Sequence, residues 1–229
     1  LIHMAKKHQR VVLVGYILRF LPALRSIKQF LLTGKLGDIY KARIQVGQFL
    51  PDWRPDSDYR NGVSAQRALG GGALLELSHE LDYASWLFGL PEAIYCRAGK
   101  YSDLDIDVED SATVIYEYSN NRPGSVSIEI DFLQRVAQMD IQIIGSEGTL
   151  IADLIQEKVW LRTPEQPELT EQSFVRGKDG NEPYLMQFDC LFANSLPNYQ
   201  AHYSDSSNYA DWVNLAHGQN IIRIVEAAK

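Results

Sequence analysis

The chain has 229 residues, 45% of them hydrophobic, and a formal net charge of −7. This length and composition suit one large globular domain or two small ones, and they exclude wholesale disorder, collagen-like repeats and coiled coil. An acidic chain without a run of basic residues is a poor candidate for a nucleic-acid binder, because phosphate contacts dominate that affinity. The sequence also contains no apolar run of about 18 residues, the length that a membrane-spanning helix needs. The two isolated cysteines, Cys96 and Cys190, favour a reducing compartment. Because residues 1–10 also lack the apolar region of a signal peptide, we expect a cytoplasmic protein.

The first sixteen residues combine a helical pattern with an apolar run. Residues 2–9 suit the last turns of a helix, and residues 11–16 form a β-branched run typical of a strand that is buried on both faces. A helix followed by a buried strand is the end of an α/β unit. The segment is therefore either the remnant of such a unit or an ordinary first strand of this domain.

The rest of the chain predicts two helices, a series of strands and two closing helices. Residues 21–33 predict a helix, with Pro22 in its first turn and Gly34 at its end, and residues 39–49 predict a strand. A second helix opens at the glycines of residues 70–72 and ends near Phe88. Period-two patterns then predict strands at 92–100, 111–118, 125–132, 138–144, 149–153 and 158–162, and helical patterns follow at 183–194 and 209–228. This order predicts an α+β fold with an open, mostly antiparallel sheet and helices on one face.

Residues 50–69 separate the first strand from the second helix and predict a long loop. Loops of this length are usually functional or disordered. This one contains Trp53, Tyr59, Arg60 and Arg67, and that aromatic and arginine content argues against disorder.

The second helix contains the most informative pattern in the chain. A count of 100° per residue from Leu74 places four apolar side chains in one stripe, which we expect to face the core: Leu77, Leu81, Ala84 and Phe88. His79 falls on the opposite side, together with Glu76, Tyr83 and Trp86. Since such residues rarely share a solvated face, this side is expected to border a cleft or a partner; the alternative is a partly buried helix with a surface histidine. Asp82 lies three residues after His79 and can reach its ring.

Two further patterns were considered as ligand sites. Three glycines at a helix N-terminus allow close approach of an oxygen-rich ligand, although a turn with positive φ explains them equally well. The chain contains no G-x-G-x-x-G and therefore no phosphate cradle for a dinucleotide. The five carboxylates in residues 103–110 lack EF-hand spacing and predict a solvated approach to the next strand, and no metal site is expected.

Six segments, in order, are similar to a known family. They are RFLP at 19–22, TGKLGDI at 33–39, LPDWRP at 50–55, LGGGALLELSHELDY at 69–83, DVED at 107–110 and IGSEGTL at 144–150. Together they resemble the C-terminal part of the Gfo/Idh/MocA oxidoreductases, the glucose–fructose oxidoreductase and inositol dehydrogenase family. The glycine triplet followed by His-x-x-Asp is the most specific of these features.

The resemblance implies a two-domain enzyme. In this family an N-terminal Rossmann domain binds NAD or NADP, and a C-terminal α+β domain contacts the substrate and oligomerises through its sheet. Residues 1–16 would then be the end of the Rossmann domain, and residues 17–229 the substrate-binding and oligomerisation domain. NAD or NADP is accordingly expected in the intact protein, but not bound to this chain, and a homo-oligomer is expected through the sheet face.

The resemblance also suggests the functional residues. His79 matches the family histidine that helps to move a proton at a sugar hydroxyl, and Glu76 and Asp82 are the candidates to orient it, because Leu75 occupies the position where many members have Asp. The expected substrate contacts are Trp53, Tyr59, Arg60, Arg67 and Tyr83, and Arg19 is expected on the cofactor side. The implied function is the catalytic and substrate half of an NAD(P)-dependent oxidoreductase that acts on a sugar or sugar-nucleotide CH–OH group. The alternative is a non-enzymatic oligomerising or sugar-binding module.

Overall fold

A computed structural model describes residues 1–119, 123–174, 183–188 and 214–229. The helices are α1 (Ile2–Lys7), α2 (Pro22–Leu32), α3 (Ala73–Glu76), α4 (Ser78–Phe88), α5 (residues 183–188) and α6 (Leu215–Ala228). The strands are β1 (Ile39–Gly47), β2 (Ala93–Gly99), β3 (Ser111–Glu117), β4 (Ser125–Asp131), β5 (Gln138–Gly145), β6 (Thr149–Asp153), β7 (Lys158–Arg162) and β8 (Thr170–Glu171).

All these strands form one eight-stranded sheet in the order β2-β3-β4-β1-β5-β6-β7-β8. Six of the neighbouring pairs are antiparallel, and only β1 and β4 run parallel. Parallel neighbours need a long connection, and the chain between β1 and β4 contains the 50–69 loop, both central helices and the β2–β3 hairpin. The predicted α+β fold with a mostly antiparallel sheet is confirmed.

One face of the sheet is apolar, and the helices cover it. Ile44 in β1 lies opposite Ile128 in β4 and Ile141 in β5, and all three side chains are buried. The strand residues between them point to the other face, where β4 presents polar and charged side chains: Ser125, Ser127, Glu129 and Asp131. This alternation is typical of a sheet that is covered on one side, so the helices and any site they form lie on the apolar side.

The strand predicted at residues 11–16 is wrong. The described residues of this segment form only an isolated antiparallel bridge, between Leu13 and Asn214. Gln187 donates its side-chain amide to the carbonyl of Val14 at 3.3 Å, and a Cβ on Gly218 would lie 2.8 Å from the Val14 side chain. The segment packs against α5 and α6 instead of a neighbouring strand. Helices therefore cover part of its apolar surface, while Val12 remains 39% exposed, and the segment lacks the ladder that a buried strand requires.

The closing helices are confirmed where the structure describes them. Residues 183–188 are helical, and α6 ends at Ala228, as predicted. The remaining parts of these two predictions, residues 189–194 and 209–213, lie outside the described residues, as does Cys190.

The 50–69 loop is held by a second apolar cluster. It contains three short 3-10 turns after the one at Leu50–Asp52, at Tyr59–Asn61, Val63–Ala65 and Arg67–Leu69. The buried members of the cluster are Leu50, Ala73, Leu104 and Phe132. Because this cluster joins the loop to α3 and to the residues after β4, it fixes the loop relative to the central helices.

The acidic segment at residues 103–110 is only in part the solvated approach that was predicted, because Asp103, Asp105 and Asp107 are exposed but Asp110 is not. Asp110 is completely buried, and its carboxylate accepts hydrogen bonds from the amides of Tyr101 and Ser102, each at 2.9 Å, and from the Ser102 hydroxyl at 2.6 Å. Asp107 accepts from the amide of Arg67 at 2.6 Å, and Glu109 accepts from the amide of Leu74 at 3.2 Å. Short acidic side chains satisfy backbone donors here, so three of the five carboxylates anchor loops.

We expect Asp110→Ala to lower the free energy of unfolding by about 2–4 kcal/mol, because it leaves three donors without their charged acceptor in a buried place. Urea unfolding followed by circular dichroism measures this loss. Asp103→Ala, which removes an exposed carboxylate of the same segment, is the matched control and should leave the midpoint unchanged. Equal stability of the two variants would contradict an anchoring role for Asp110.

Candidate functional site

The site is built around α4, the central helix. A break at Leu77, with φ −103° and ψ 30°, separates α3 from α4. The angular count from Leu74 therefore does not continue through it, and the predicted division into a core stripe and a cleft face is wrong. Every residue of α4 except His79 is buried. A helix enclosed on all sides shows no clear apolar stripe.

His79 is the partly exposed residue of α4. Its ring packs edge-on against Tyr16, with the ring centroids 5.3 Å apart and an interplanar angle of 86°. The Nδ1 atom is buried and has no hydrogen-bond partner among the described residues. Burial lowers the pKa of His79 below its ordinary value, and the charge of Asp82 opposes this only in part. At neutral pH the imidazole is therefore uncharged and able to accept a proton.

Asp82 has other partners than His79. Arg19 donates from Nε to Oδ2 and from Nη2 to Oδ1, both at 2.8 Å, and Nε2 of His217 lies 3.0 Å from Oδ1. The expected hydrogen bond from the His79 ring to the Asp82 carboxylate is absent from the contacts of the described residues. A bidentate guanidinium satisfies both carboxylate oxygens, which leaves Asp82 to influence His79 only through its charge.

Arg19 does not lie at the surface, where a contact with the cofactor was expected. Its side chain is 4% exposed, pairs with Asp82, also contacts Nε2 of His217, and lies 5.9 Å from the centre of the Trp86 ring. A guanidinium held in this way joins the residues before α2 to α4 and α6. It has no exposed face for a nucleotide phosphate, so the structure assigns it to the protein interior.

Tyr83 also differs from expectation, because it is completely buried and cannot contact a substrate. Burial raises the pKa of its hydroxyl well above the ordinary value, and the hydroxyl has no partner among the described residues. Glu76 is half-buried and accepts a hydrogen bond from the Ser64 hydroxyl at 2.6 Å. It therefore connects α3 to the 50–69 loop.

Trp53 and Tyr59, the two aromatic residues of the 50–69 loop that were expected to contact the substrate, contact other residues of the chain. Trp53 meets Phe132 edge-on at 5.2 Å and donates its indole N–H to the carbonyl of Gln48 at 3.1 Å. The Tyr59 hydroxyl accepts from the amide of Asp105 at 3.2 Å. Both rings line a hollow of about 30 Å³, which holds one or two waters and is too small for a sugar ring.

The two predicted arginines remain at the surface. Arg60 pairs with Asp58, and Arg67 donates to the backbone carbonyl of Asp107 at 3.0 Å. Both side chains are exposed, so each retains the freedom to meet a ligand at the rim of the loop.

The glycine triplet serves packing within the chain. A Cβ on Gly71 would overlap the carbonyl of Val63, and one on Gly72 would overlap the Glu109 carboxylate. The amides that follow are used as well, since Gly72 donates to the carbonyl of Ser64 at 3.1 Å and Ala73 to that of Glu109 at 3.0 Å. The oxygen-rich ligand considered for this turn is therefore not supported, and these residues do not fit a dinucleotide phosphate.

Within the described ranges, no three His, Cys, Asp or Glu side chains are grouped as metal ligands. In the same ranges, none of the helices has both the length and the hydropathy that crossing a bilayer requires.

Sequence reasoning missed three members of this centre: Tyr16, Glu80 and His217. Tyr16 was assigned to a strand, and His217 is distant in sequence from the motif it contacts. Glu80 stands inside the most specific motif but was overlooked beside His79. Its position between His79 and Asp82 in that motif was the available signal.

Replacing Arg19 by Met should lower the free energy of unfolding by about 3–5 kcal/mol, because Asp82 would remain buried without its bidentate partner. Adding Asp82→Leu should restore much of the loss, since a buried ion pair can be exchanged for apolar packing. Arg60→Ala breaks an exposed pair and should leave the urea midpoint unchanged. An Arg19→Met protein as stable as the wild type would exclude this pair as an anchor of α4.

Comparison with known proteins identifies the family. The profile of the GFO/IDH/MocA C-terminal domain matches residues 24–151, more than half of the chain. An uncharacterized oxidoreductase of Synechocystis sp. is 29% identical over 167 residues, which cover 66% of this chain and 43% of that protein. Levoglucosan dehydrogenase of Pseudarthrobacter phenanthrenivorans is 24% identical over 172 residues, which cover 64% of this chain and 43% of that protein.

Solved structures agree with these relatives in fold. An inositol dehydrogenase homolog from Azotobacter vinelandii, complexed with NAD+, superimposes with a TM-score of 0.73 at 15% identity, covering 99% of this chain and 65% of that one. Identity this low shows the fold alone. The chain spans less than half the length of the two curated relatives. On the domain match and the shared fold, this chain is an oxidoreductase-type domain that belongs to the Gfo/Idh/MocA family.

Proposed function

We propose that this chain supplies the substrate-binding and proton-transfer half of an NAD(P)-dependent oxidoreductase that acts on a CH–OH group of a sugar or sugar nucleotide. The observation that carries the proposal is the environment of His79, the one partly exposed residue of a central helix within the family motif. Levoglucosan dehydrogenase and an inositol dehydrogenase homolog are among the related proteins, and their names support a polyhydroxylated substrate.

His79 would act on the proton of the substrate hydroxyl. Oxidation of a CH–OH group to a carbonyl releases a hydride and a proton, and a neutral imidazole is a suitable acceptor for the proton. Because Nδ1 is the buried ring nitrogen, we assign proton transfer to Nε2. Tyr16 packs on the ring and restricts its rotation, so the same nitrogen would be presented in each turnover.

The cofactor would supply hydride transfer, but neither the glycine triplet nor Arg19 offers it a phosphate site. We assign dinucleotide binding to a Rossmann domain outside the residues of this chain, with residues 1–16 as its end and residues 17–229 as the substrate domain. In this arrangement the exposed Arg60 and Arg67, and not the packed Trp53 and Tyr59, would meet the substrate.

The uncovered face of the sheet is the surface that we assign to self-association. Tyr95 in β2 lies opposite Ile115 in β3, and these side chains are 60% and 36% exposed. A second apolar pair, Ile151 and Trp160, lies on the same face across β6 and β7. Two apolar pairs around a polar centre suit contact with a second copy of the same face.

We expect His79→Ala to lower turnover of the full-length protein by about 10²–10⁴-fold, because a positioned general base contributes that much. Turnover of sugar and sugar-nucleotide alcohols with NAD or NADP measures it, with circular dichroism to confirm the fold. His3→Ala, which removes an exposed imidazole, is the control. An unchanged rate would remove His79 from the mechanism, and sugar binding by a wild type without any turnover would favour the non-enzymatic alternative.

The self-association surface is tested by light scattering at tens of micromolar chain. The wild type should have at least the mass of a dimer, and Tyr95→Ser combined with Ile115→Lys should reduce it, because a charge would replace an apolar contact. Tyr101→Ser, at an exposed tyrosine outside the strands, should leave the mass unchanged. A monomeric wild type would contradict the assignment.

A further inference from the structure

A concave surface lies at the carboxyl end of β2, on the side of the sheet that the helices cover. It is a cavity of about 350 Å³, and Ala98 in its wall packs against the main apolar core. This volume falls within the roughly 300–1,000 Å³ of small-molecule sites, whereas the hollow beside Trp53 is far smaller. Five charged side chains line the cavity: Arg67, Lys100, Asp107, Glu109 and Lys229. The cavity therefore has the room and the polarity to bind a small charged molecule.

The two carboxylates of this cavity are used by backbone amides. Asp107 accepts a hydrogen bond from the amide of Arg67 at 2.6 Å, and Glu109 accepts one from the amide of Leu74 at 3.2 Å. The Glu109 carboxylate also lies against Gly72, where a Cβ would come within 2.4 Å of Oε1. Amide donors stabilise an ionised carboxylate, and neither acid forms an ion pair within the described residues. The acids therefore hold the walls of the cavity and do not pair with its cations.

The three cations of the cavity have no carboxylate partner in the part of the chain that the structure describes. Arg67 donates from Nη2 to the carbonyl of Asp107 at 3.0 Å, and Lys100 donates from Nζ to the carbonyl of Ser102 at 3.1 Å. All three side chains, including that of Lys229, are exposed. Although the chain has a net charge of −7, this cavity contains positive charge that described residues do not pair. Such a local field favours an anionic ligand.

The backbone that carries these cations is fixed. The amide of Arg67 is held by a carboxylate of the cavity wall, and Lys100 lies between two residues that Asp110 anchors. The Gly99 carbonyl accepts from the Asp110 amide at 3.1 Å, and the Tyr101 amide donates to the Asp110 carboxylate at 2.9 Å. Because a preformed site loses less conformational freedom on binding, an anion can be bound here without rearrangement of the two loops.

We propose that this cavity is a phosphate subsite, in which Arg67 and Lys100 bind the phosphate group of a phosphorylated sugar or sugar nucleotide. A planar guanidinium can donate two hydrogen bonds to one phosphate, and an ammonium adds a compact charge. A phosphate ester has nearly two negative charges at neutral pH, whereas a neutral sugar would leave the cations uncompensated. The assignment to the substrate rests on the proposed function, but the binding of phosphate does not.

The short helix α3 separates the cavity from His79. Glu109, in the cavity wall, accepts from Leu74 in α3, and His79 lies two residues after the break at Leu77 that ends this helix. With four residues, α3 is about 6 Å long, which is within the reach of a sugar that bears a phosphate group. The phosphate subsite would then hold the substrate while His79 acts on its hydroxyl.

Calorimetric titration of the 229-residue chain tests the subsite without any enzymatic activity. Glucose 1-phosphate and UDP-glucose should bind more tightly than glucose by about tenfold or more, because one charge-assisted hydrogen bond contributes about that factor. Salt should weaken this binding, since the charges are exposed. Arg67→Gln combined with Lys100→Gln should reduce both affinities by about tenfold or more. Arg97→Gln, at an exposed arginine of β2 on the opposite face of the sheet, is the matched control and should retain them.

Three results of the titration would overturn the proposal. They are equal affinities for glucose and glucose 1-phosphate, phosphate-dependent binding that persists in the double variant, and binding of inorganic phosphate as tight as that of glucose 1-phosphate, which would indicate a site for the free anion only. Circular dichroism of each variant confirms the fold, and the salt dependence of the wild type provides evidence that needs no variant.

Turnover of the full-length protein separates this proposal from the proposed function. The double variant should raise KM for a phosphorylated substrate and leave kcat nearly unchanged, because the phosphate contact is the same in the ground state and the transition state. His79→Ala lowers kcat instead. A double variant with an unchanged KM would remove the subsite from the reaction. If the full-length protein turns over no sugar alcohol, the proposed function fails, and the titration still decides whether the cavity binds phosphate.

Discussion

The buried pair between Arg19 and Asp82 is the interaction on which the arrangement of the helices depends. It joins three parts of the chain that are distant in sequence: the turn before α2, the central helix α4, and α6 through His217. A buried ion pair adds little net stability, because desolvation offsets the attraction between its charges. Its geometry is nevertheless demanding, since a bidentate guanidinium accepts few orientations. The pair therefore fixes the rotation of α4, and with it the direction of His79.

Because helices cover only one face of the sheet, the position of a single helix, α4, determines where His79 lies. The alternating burial of β1, β4 and β5 leaves the helices to cover one apolar face, and α4 lies at its centre, enclosed by strands below and by α6 and the N-terminal segment around it. Packing at interior density permits few alternative positions for such a helix. A catalytic side chain on it is consequently placed by the whole domain and not by a loop.

Sequence patterns predicted the sheet well and the site poorly, for a physical reason. The strands are regular and covered on one face, so the sequence predicted β1, and the period of two residues identified β2 to β7, with errors only at their ends. The helical segment is broken at Leu77, and α4 is enclosed on all sides. The helical period of 3.6 residues therefore could not distinguish a face toward the core from a face toward a cleft. Residues 11–16 have the composition of a buried strand, but they pack on helices and not on strands, and Val12 is exposed. Asp107, Glu109 and Asp110 were expected only to be solvated, because the backbone amides that donate to their carboxylates can be identified only in the folded structure.

The two acids of α4 show how one buried helix can combine a fixed charge with a titratable one. Asp82 and Glu80 are two residues apart, so their side chains leave the helix about 200° apart. On one side Arg19 neutralises Asp82, and that charge supports the fold. On the other side the Oε2 atom of Glu80 is buried without a hydrogen-bond partner among the described residues, and burial raises the pKa of this carboxyl to about 8. The same buried helix therefore contains one acid that is held by an arginine and another whose surroundings favour the protonated form, and only the first joins α4 to the rest of the domain.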